Sequence, residues 1–387
     1  MQPDAGAQAS TSSTHTRLSK GRTNAKVLAY LWAHRQKPLR RPQTPHAIRA
    51  RRFAIKNGAA ASTGYIGLRD HGVADNEPTS LHRLDAFIGD HKSYSNFRII
   101  KYLGPATRPI IDDDNRVVGV FAGHEDHPKF KEQVLNPAII AMEDALASCS
   151  ISEERRDHRR GNFASFSTGQ SYGGGQVRPG TLINGAINTA ILLSLLSNSA
   201  FTRLAGFATG VFANWSPHLY EYYRINMMAF YRRNPTLKRP FINSIWSACT
   251  FNLGPQTCAL GHRDFANLAF GWCAITALGN FDYTKGGHLI LWDCRLIIEF
   301  PPGCTILIPS AAIFHSNIPI AEGERRYSFT QYTAGGIFRW VQHGFQTNKN
   351  YQRSLSKAGK RAAFKADAKR WEDGVNLYTY KDEVQID

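Results

Sequence analysis

The feature that most constrains the fold is a set of short segments, rich in β-branched and aromatic residues, in the carboxyl-terminal half of the chain. Turns that contain Gly, Pro or Asp separate these segments. Short strands at such spacing form an antiparallel barrel or a jelly roll. The predicted strands are residues 244–253, 272–278, 287–292, 296–300, 305–308 and 326–333.

Helical segments lie before and after these predicted strands. Apolar residues recur at helical spacing in four segments, and a basic amphipathic helix is predicted at residues 354–371. Residues 109–121 are predicted to form a β-hairpin around an acidic turn. We therefore predict an α+β fold in which helices flank a jelly-roll or cupin-like core at about residues 241–346. The four helical segments are residues 128–147, 183–196, 201–213 and 217–231.

The net charge of +17 is concentrated at the amino terminus. Residues 1–60 contain twelve basic residues and one acid, Asp4. Such an arm is attracted to polyanions, above all nucleic acid, although a solvated tail or a localisation signal has the same composition. We expect a basic, largely disordered arm at residues 1–60, a folded domain at 61–346 and a basic helical tail at 347–387.

Composition argues against several classes of protein. The six cysteines are scattered without a CxxC pair, which indicates reduced thiols inside a cell rather than disulfides or a zinc site. No apolar run reaches the roughly 20 residues that span a bilayer, and the amino terminus lacks the pattern of a secretory signal. We expect a soluble intracellular protein without a membrane partner, and nothing in the sequence indicates an obligate protein partner.

Two histidines and an aspartate have the spacing of a metal site. Gly261-His262-Arg263-Asp264 contains a His-x-Asp pair, whose members point to the same side of an extended segment. His315 follows the strand predicted at 305–308. Two imidazoles and one carboxylate leave positions on iron(II) open for a cosubstrate and dioxygen. We predict that His262, Asp264 and His315 bind iron(II); a core histidine without metal is the alternative for His315.

Two other histidines need separate interpretations. A second His-x-Asp match, His124-Glu125-Asp126, follows the hairpin and leads into a helix, without strands that would bring a later His and Arg beside it. We expect a surface role there. His288 lies in a predicted strand beside the site, but a fourth ligand would close a position that the chemistry requires. We therefore predict a structural role for His288.

The last predicted strand opens with Arg325-Arg326-Tyr327-Ser328. A dicarboxylate cosubstrate needs a cation at the inner end of the barrel, and arginine offers a bidentate fork for its distal carboxylate. Arg326 and Ser328 share one face of the strand, whereas Arg325 points the other way. We predict that Arg326 and Ser328 bind the cosubstrate; Arg325 is the alternative cation, and a surface role for both arginines is the third interpretation.

Two polar segments precede the predicted helices at 183–231. Residues 165–180 are dense in glycine but match neither of the glycine-rich phosphate-binding patterns. We predict a flexible loop beside the active site, with a plain linker as the alternative. The charge run at residues 153–160 is expected to be an exposed face or loop.

A family resemblance rests on these motifs. Residues 261–345 resemble the double-stranded β-helix core of the 2-oxoglutarate- and Fe(II)-dependent oxygenases, specifically the TET/JBP-like branch that is expanded in basidiomycete fungi. The segments at 171–176 and 277–281, with Pro179-Gly180, are also similar to that fungal group. The similarity covers roughly residues 160–345, and the cysteine-rich zinc region of the vertebrate members has no counterpart here.

The resemblance implies a dioxygenase that uses Fe(II), 2-oxoglutarate and O2, with ascorbate as an accessory reductant. It implies oxidation of a methylated base in double-stranded DNA in the nucleus, with 5-methylcytosine first and N6-methyladenine second. Tyr172 and Asn252 are candidate substrate-pocket residues, with packing or turn roles as alternatives. The alternative functions are a protein or RNA hydroxylase of the same superfamily and an inactive transposon-derived barrel that binds nucleic acid.

Overall fold

The computed structural model describes residues 47–58, 60–69, 82–88, 94 and 96–384. The strands are β1 (Ile48–Arg49), β2 (Arg98–Ile100), β3 (Arg108–Ile111), β4 (Val117–Gly123), β5 (Asp157–His158), β6 (Gly161–Asn162), β7 (Ala164–Ser171), β8 (Gly180–Thr181), β9 (Ala248–Gly254), β10 (Cys273–Asn280), β11 (Leu289–Leu291), β12 (Leu296–Ile298), β13 (Thr305–Ile308), β14 (His315–Asn317) and β15 (Arg325–Tyr332). The helices are α1 (Asn136–Ser148), α2 (Glu153–Arg156), α3 (Ala186–Ser197), α4 (Ser199–Trp215), α5 (Pro217–Arg233), α6 (Gly335–Gln342), α7 (Asn348–Ser354) and α8 (Lys357–Val375).

Two β-sheets organise the described part of the chain. The main sheet has the order β1-β3-β4-β13-β10-β15-β9-β7-β8, and the second sheet has the order β14-β11-β12-β2. Apart from the parallel pairs β1–β3 and β2–β12, neighbouring strands in both sheets are antiparallel. The prediction of an α+β fold with antiparallel strands between residues 241 and 346 is confirmed.

The main sheet separates two environments because side chains alternate along each strand. In β9, Cys249, Phe251 and Leu253 pack in one hydrophobic cluster with Phe201 of α4 and Met142 of α1. Thr250 and Asn252 alternate with them and are buried polar residues. One face of the sheet is therefore covered by helices, and the other face presents polar groups toward the candidate site.

The second sheet also has two covered faces. Leu289, Leu291, Leu296 and Ile298 belong to the same core cluster as main-sheet residues such as Ile306. Ile290 and Ile297 alternate with them and pack in a separate cluster with Phe87. The core that the two sheets share fixes the second sheet against the main sheet, which positions β14.

The boundaries predicted for the arm and the tail need correction. Ile48 pairs with Ile110 in the main sheet, and Ile55 is fully buried, so folded structure begins before residue 60. At the other end, the indole N–H of Trp371 donates to the carbonyl oxygen of Lys56 at 2.8 Å, and Tyr378 is buried in the core. Apolar residues between the cations, such as Ile48, Ile55 and Trp371, anchor both segments. Residues 1–46 of the arm lie outside the described residues.

Two polar segments also differ from their predictions. Most of the first half of the glycine-rich stretch is strand β7, which pairs with β9, and only the exposed segment after Tyr172 is a turn. Gly173, Gly174 and Gly175 there have φ of 155°, 55° and 89°. The charge run contains the helical turn α2, and its last two residues reach the candidate site. Pairing with a partner strand outweighed the low apolar content of both segments.

The remaining predicted elements are present. The hairpin is β3–β4, and the helical segments predicted at 183–196, 201–213 and 217–231 match α3, α4 and α5 within a few residues. The segment predicted at 128–147 is a π-helical turn (Lys131–Leu135) followed by α1, which begins eight residues later than predicted. The carboxyl-terminal helix is α8, which begins three residues later than predicted. Each of the six predicted strands in residues 244–333 is found, in order, as β9, β10, β11, β12, β13 and β15. Among the described residues, no single helix is long and apolar enough to cross a bilayer; only α3 and α4 taken together, bent by 66° at their junction, meet that test.

Candidate metal centre and adjoining cavity

The backbone brings His262 and His315 together. His262 N–H donates to the carbonyl oxygen of His315, and His315 N–H donates to that of His262, each at 3.0 Å. Asp264 N–H donates to the carbonyl oxygen of Ser310 at 2.9 Å. One ligand atom from each of His262, Asp264 and His315 lies within 4.8 Å of the others. The structure thus assembles the three residues that the sequence predicts as metal ligands.

Backbone contacts also orient both imidazoles. His262 Nδ1 lies 2.8 Å from the carbonyl oxygen of Leu260, and His315 Nδ1 lies 3.0 Å from that of Ile313. A carbonyl oxygen only accepts hydrogen bonds, so each Nδ1 carries the proton and each Nε2 is left with its lone pair. His262 Nε2 lies 3.7 Å from Asp264 Oδ1. The donor set is therefore two imidazole nitrogens and one carboxylate on a single side.

Burial sets the charge of these groups. It lowers the pKa of His262 to about 3, and it also lowers the pKa of His315. Burial opposes ionisation of Asp264, but the neighbouring His262 and His315 outweigh it, so the pKa of the carboxyl is lowered. Neutral imidazoles and an ionised carboxylate are the forms that bind a divalent metal.

The two arginines at the start of β15 have different surroundings. Arg326 is buried; its Nη1 donates to the carbonyl oxygen of Thr257 at 2.7 Å, and its Nε has no hydrogen-bond partner among the described residues. Burial lowers the pKa of Arg326 to about 10, so the guanidinium remains charged near neutral pH. Arg325 points outward and its Nη1 lies 3.2 Å from Glu143 Oε1. Of these two arginines, Arg326 therefore offers the buried cation with an unused donor.

A row of hydrogen bonds crosses the main sheet beside Arg326. The Asn252 amide donates to Ser328 Oγ at 2.8 Å, and Ser165 Oγ donates to Asn252 Oδ1 at 2.8 Å. Arg160 Nη2 continues the row to Ser165 Oγ at 3.3 Å. Asn252 thus fixes the hydroxyl of Ser328. Asn252 lies beside Arg326 and Ser328, and it is not one of the residues that line the cavity described next.

A cavity of about 190 Å³ adjoins Asp264. Its walls are polar and aromatic, and they come from β7, β9, β15, the turn between β5 and β6, and the segment that begins at Asp264. The lining residues are Arg159, Arg160, Ser167, Thr250, Asp264, Phe265, Ala266, Asn267, Thr330 and Tyr332. A volume of this size would hold one small group next to Asp264.

The sequence does not indicate most of the residues that line this cavity, and one residue predicted for a substrate pocket does not line it. Arg160 was expected in an exposed run, yet Leu260 N–H donates to its carbonyl oxygen at 2.9 Å, which brings it to the site. Tyr172 is not among the cavity residues; it packs against Trp340, with ring centroids 4.9 Å apart. These contacts favour the packing interpretation of Tyr172. No local pattern could link residue 160 to residue 260.

The two competing histidines lie outside this centre. His124 stacks on Phe130, with ring centroids 4.6 Å apart, and Glu125 forms an ion pair with Arg203 at 2.7 Å. These contacts agree with the surface role expected for that segment. His288 is buried, and burial lowers its pKa to about 4. It is not part of the group of potential ligands found in the described residues.

Comparisons with known proteins give weak likenesses. No protein-family model matches the chain, and no curated protein matches it. Similar solved structures include NgTET1 in complex with 5mC DNA, with a TM-score of 0.42 and 15% identity, over 63% of this chain and 85% of that chain. Another is a 2OG-Fe(II) oxygenase family oxidoreductase from Burkholderia pseudomallei, with a TM-score of 0.29 and 17% identity, over 51% and 77%. Likenesses this weak do not assign the chain to a family, so a proposal of its function must rest on the geometry of the site residues.

Proposed function

We propose that this chain is an Fe(II)- and 2-oxoglutarate-dependent dioxygenase whose two sheets form a double-stranded β-helix. The observation that carries the proposal is the convergence of His262, Asp264 and His315, with each Nδ1 held by a carbonyl oxygen and each Nε2 free. Two histidines and one carboxylate on one face are the ligand set of the non-haem iron(II) oxygenases, because three positions stay open.

The cosubstrate site is proposed at Arg326. A buried guanidinium with an unused Nε fits the distal carboxylate of 2-oxoglutarate, since arginine pairs with carboxylates through two parallel hydrogen bonds. Ser328 Oγ, held by the Asn252 amide at 2.8 Å, is a second group for that carboxylate. Arg325 is already paired with Glu143 and is not part of this proposal.

When bound, iron(II) and 2-oxoglutarate supply dioxygen activation, with 2-oxoglutarate oxidised to succinate and CO2 as a C–H bond of the substrate is oxidised. The chain contributes position and charge. The carbonyl oxygens of Leu260 and Ile313 hold the imidazoles in the tautomer that presents Nε2. Arg326 neutralises the distal carboxylate in a buried site, where its pairing with that carboxylate is strong.

We propose a methylated base of double-stranded DNA as the substrate, with 5-methylcytosine ahead of N6-methyladenine. A base in a duplex must leave the stack to reach a buried metal, and it then needs a narrow pocket with aromatic faces and hydrogen-bonding groups. The cavity beside Asp264 offers Phe265, Tyr332 and the Asn267 amide. The net charge of +17 favours a polyanionic partner. We propose a nuclear location because DNA is the proposed substrate.

The test is mass spectrometry of nucleosides after incubation of the full chain with Fe(II), 2-oxoglutarate, ascorbate and methylated duplex DNA. His262→Ala is the inactive control, and His124→Ala is the matched control because it changes the His of the other His-x-Asp motif. We expect 5-hydroxymethylcytosine, or loss of N6-methyladenine, with the wild type and His124→Ala only.

The other outcomes distinguish the alternatives. Succinate without any change in a base would retain the oxygenase and overturn the DNA substrate, in favour of a protein or RNA hydroxylase. Neither succinate nor a changed base, with duplex binding retained, would favour the inactive nucleic-acid-binding barrel.

A further inference from the structure

Basic residues line a groove of about 440 Å³ that lies outside the metal centre. Five arginines line it, together with Asn96, Phe97, Cys294 and Leu296, and no acidic residue is among the described residues of its wall. We call it the arginine groove. Its arginines are Arg49, Arg51, Arg52, Arg98 and Arg295.

The cations of the groove are poorly compensated within the described part of the chain. Arg98 donates from Nη2 to the carbonyl oxygen of Arg49 at 2.6 Å, while its buried Nε has no hydrogen-bond partner. Burial and then the charge of Arg51 lower the pKa of Arg98. Like charges held close together in a concave site favour an anion, which would relieve their repulsion.

Two nearby acids are bound elsewhere. Asp293 and Asp112 both act electrostatically on Cys294 in the groove wall. However, Asp293 Oδ1 lies 3.2 Å from Arg263 Nη2, and Asp112 Oδ2 accepts from the backbone N–H of Ile55 at 3.0 Å. These carboxylates therefore do not neutralise the groove arginines directly.

The backbone holds two of these arginines in an unusual conformation. Arg52 has φ of 57° and Arg295 has φ of 52°, in the left-handed region that glycine adopts without strain. They are two of the four non-glycine residues with positive φ among the residues that the structure describes. Strain of this kind concentrates at binding sites, where the side chain is needed in one place.

The register of the second sheet relates the groove to the metal centre. His315 pairs with Leu291, Leu291 pairs with Leu296, and Leu296 pairs with Arg98, so all four lie in one row across β14, β11, β12 and β2. Three strand spacings separate His315 from Arg98, which is roughly 14 Å. The turn that contains Arg295 also contains Asp293, the partner of Arg263 next to the metal ligands. The groove and the centre therefore share one end of this sheet.

We infer that the arginine groove binds the phosphodiester backbone of the polynucleotide whose reacting base enters the cavity beside Asp264. The identity of the polymer rests on the proposed function. Arginine forks match phosphate oxygens in pairs, and such contacts position a nucleic acid without reading its sequence. Along the axis of a duplex, where the rise is about 3.4 Å per base pair, a separation of roughly 14 Å spans about four base pairs.

The first test measures binding of a fluorescent duplex to the full chain by anisotropy, without iron or 2-oxoglutarate, over a range of salt concentrations. Arg51→Gln/Arg52→Gln is the groove variant. Arg232→Gln/Arg233→Gln is the control, because it removes the same charge from another exposed pair of adjacent arginines. We expect at least about 10-fold weaker binding at low salt for the groove variant. We also expect the slope of log K against log salt to decrease in magnitude by about two for that variant alone.

Equal losses in both variants would overturn the groove as a site, since they would reflect net charge only. Unchanged duplex binding in the groove variant, with weaker binding of inorganic phosphate, would overturn the polynucleotide as its occupant. Because this assay needs no turnover, failure of the oxygenase proposal would not change its result.

The second test concerns position. Duplexes that carry the methylated base progressively closer to one end are compared for base oxidation, with the wild type and the groove variant. We expect activity of the wild type to fall when fewer than about four base pairs remain on one side, and the groove variant to be insensitive to that truncation. Identical length dependence in both proteins would overturn the inferred placement.

Discussion

Replacement of Arg326 by lysine should damage 2-oxoglutarate binding while leaving the metal centre in place. Arg326 is 1% exposed and donates to the Thr257 carbonyl oxygen at 2.7 Å, with its Nε unused. Lysine keeps the positive charge but offers a single ammonium in place of the planar fork. The substitution therefore removes the second hydrogen bond to the distal carboxylate rather than the charge itself.

The expected magnitude follows from the value of that hydrogen bond. A hydrogen bond to a charged group contributes about 1.5–3 kcal/mol, and about 1.4 kcal/mol corresponds to a factor of ten in affinity. The KM for 2-oxoglutarate should therefore rise about 10- to 100-fold in Arg326→Lys. Succinate release at increasing 2-oxoglutarate, with methylated duplex present, measures it.

Arg325→Lys is the matched control, because it makes the same change one residue earlier, at an exposed side chain paired with Glu143. Its KM should equal that of the wild type. An unchanged KM in Arg326→Lys, or a rise in Arg325→Lys alone, would refute the assignment of the cosubstrate cation.

Three further predictions concern support around the site and stability. Asn252→Ala removes the hydrogen bond that holds the hydroxyl of Ser328, so the KM for 2-oxoglutarate in the succinate assay should rise about fivefold, as expected for a hydrogen bond of about 1 kcal/mol. An unchanged KM would count against the role of Ser328 in cosubstrate binding. Gly336→Ala places a Cβ in overlap with the Tyr172 carbonyl oxygen, so urea unfolding should show a loss of about 1–3 kcal/mol. Gly359→Ala in α8, whose Cβ would make only ordinary contacts at 3.4 Å with Leu355 and Ser356, should stabilise by up to about 1 kcal/mol. Burial lowers the pKa of His343 to about 4 from 6.5, so the unfolded chain binds more protons than the folded chain as the pH falls between these values. Between pH 7 and pH 5, the free energy of unfolding of the wild type should therefore fall by about 2 kcal/mol more than that of His343→Gln. Equal losses in the two proteins would contradict the burial argument.

The fold was predictable where the pattern is local. The alternation in β9 and β15 and the turns between strands are visible in the sequence, and these elements appear where they are predicted. The His-x-Asp motif and the pair Arg326 and Ser328 were predicted from the same kind of local pattern, because a short segment fixes which side chains share a face. His315 was predicted from its position after the strand at 305–308.

The parts of the fold and of the site that were not predicted depend on contacts between segments that are distant in the sequence. Ile48 joins the main sheet through Ile110, and Arg160 reaches the site through the backbone of Leu260. Neither contact leaves a periodic signal, and both segments are rich in charge, which favours an interpretation as exposed chain. The arginine groove also depends on contacts between distant segments, because residues 49–52, 96–98 and 294–296 form it together.

The proposed function requires His262, Asp264 and His315 to hold one metal ion. Anaerobic calorimetric titration of Fe(II) into the full chain measures this binding, with alanine variants of the three residues and His124→Ala as the control. We expect one site per chain in the wild type and in His124→Ala, and loss of that site in each of the three variants. Binding that survives in all three variants, or that is lost in His124→Ala, would contradict it.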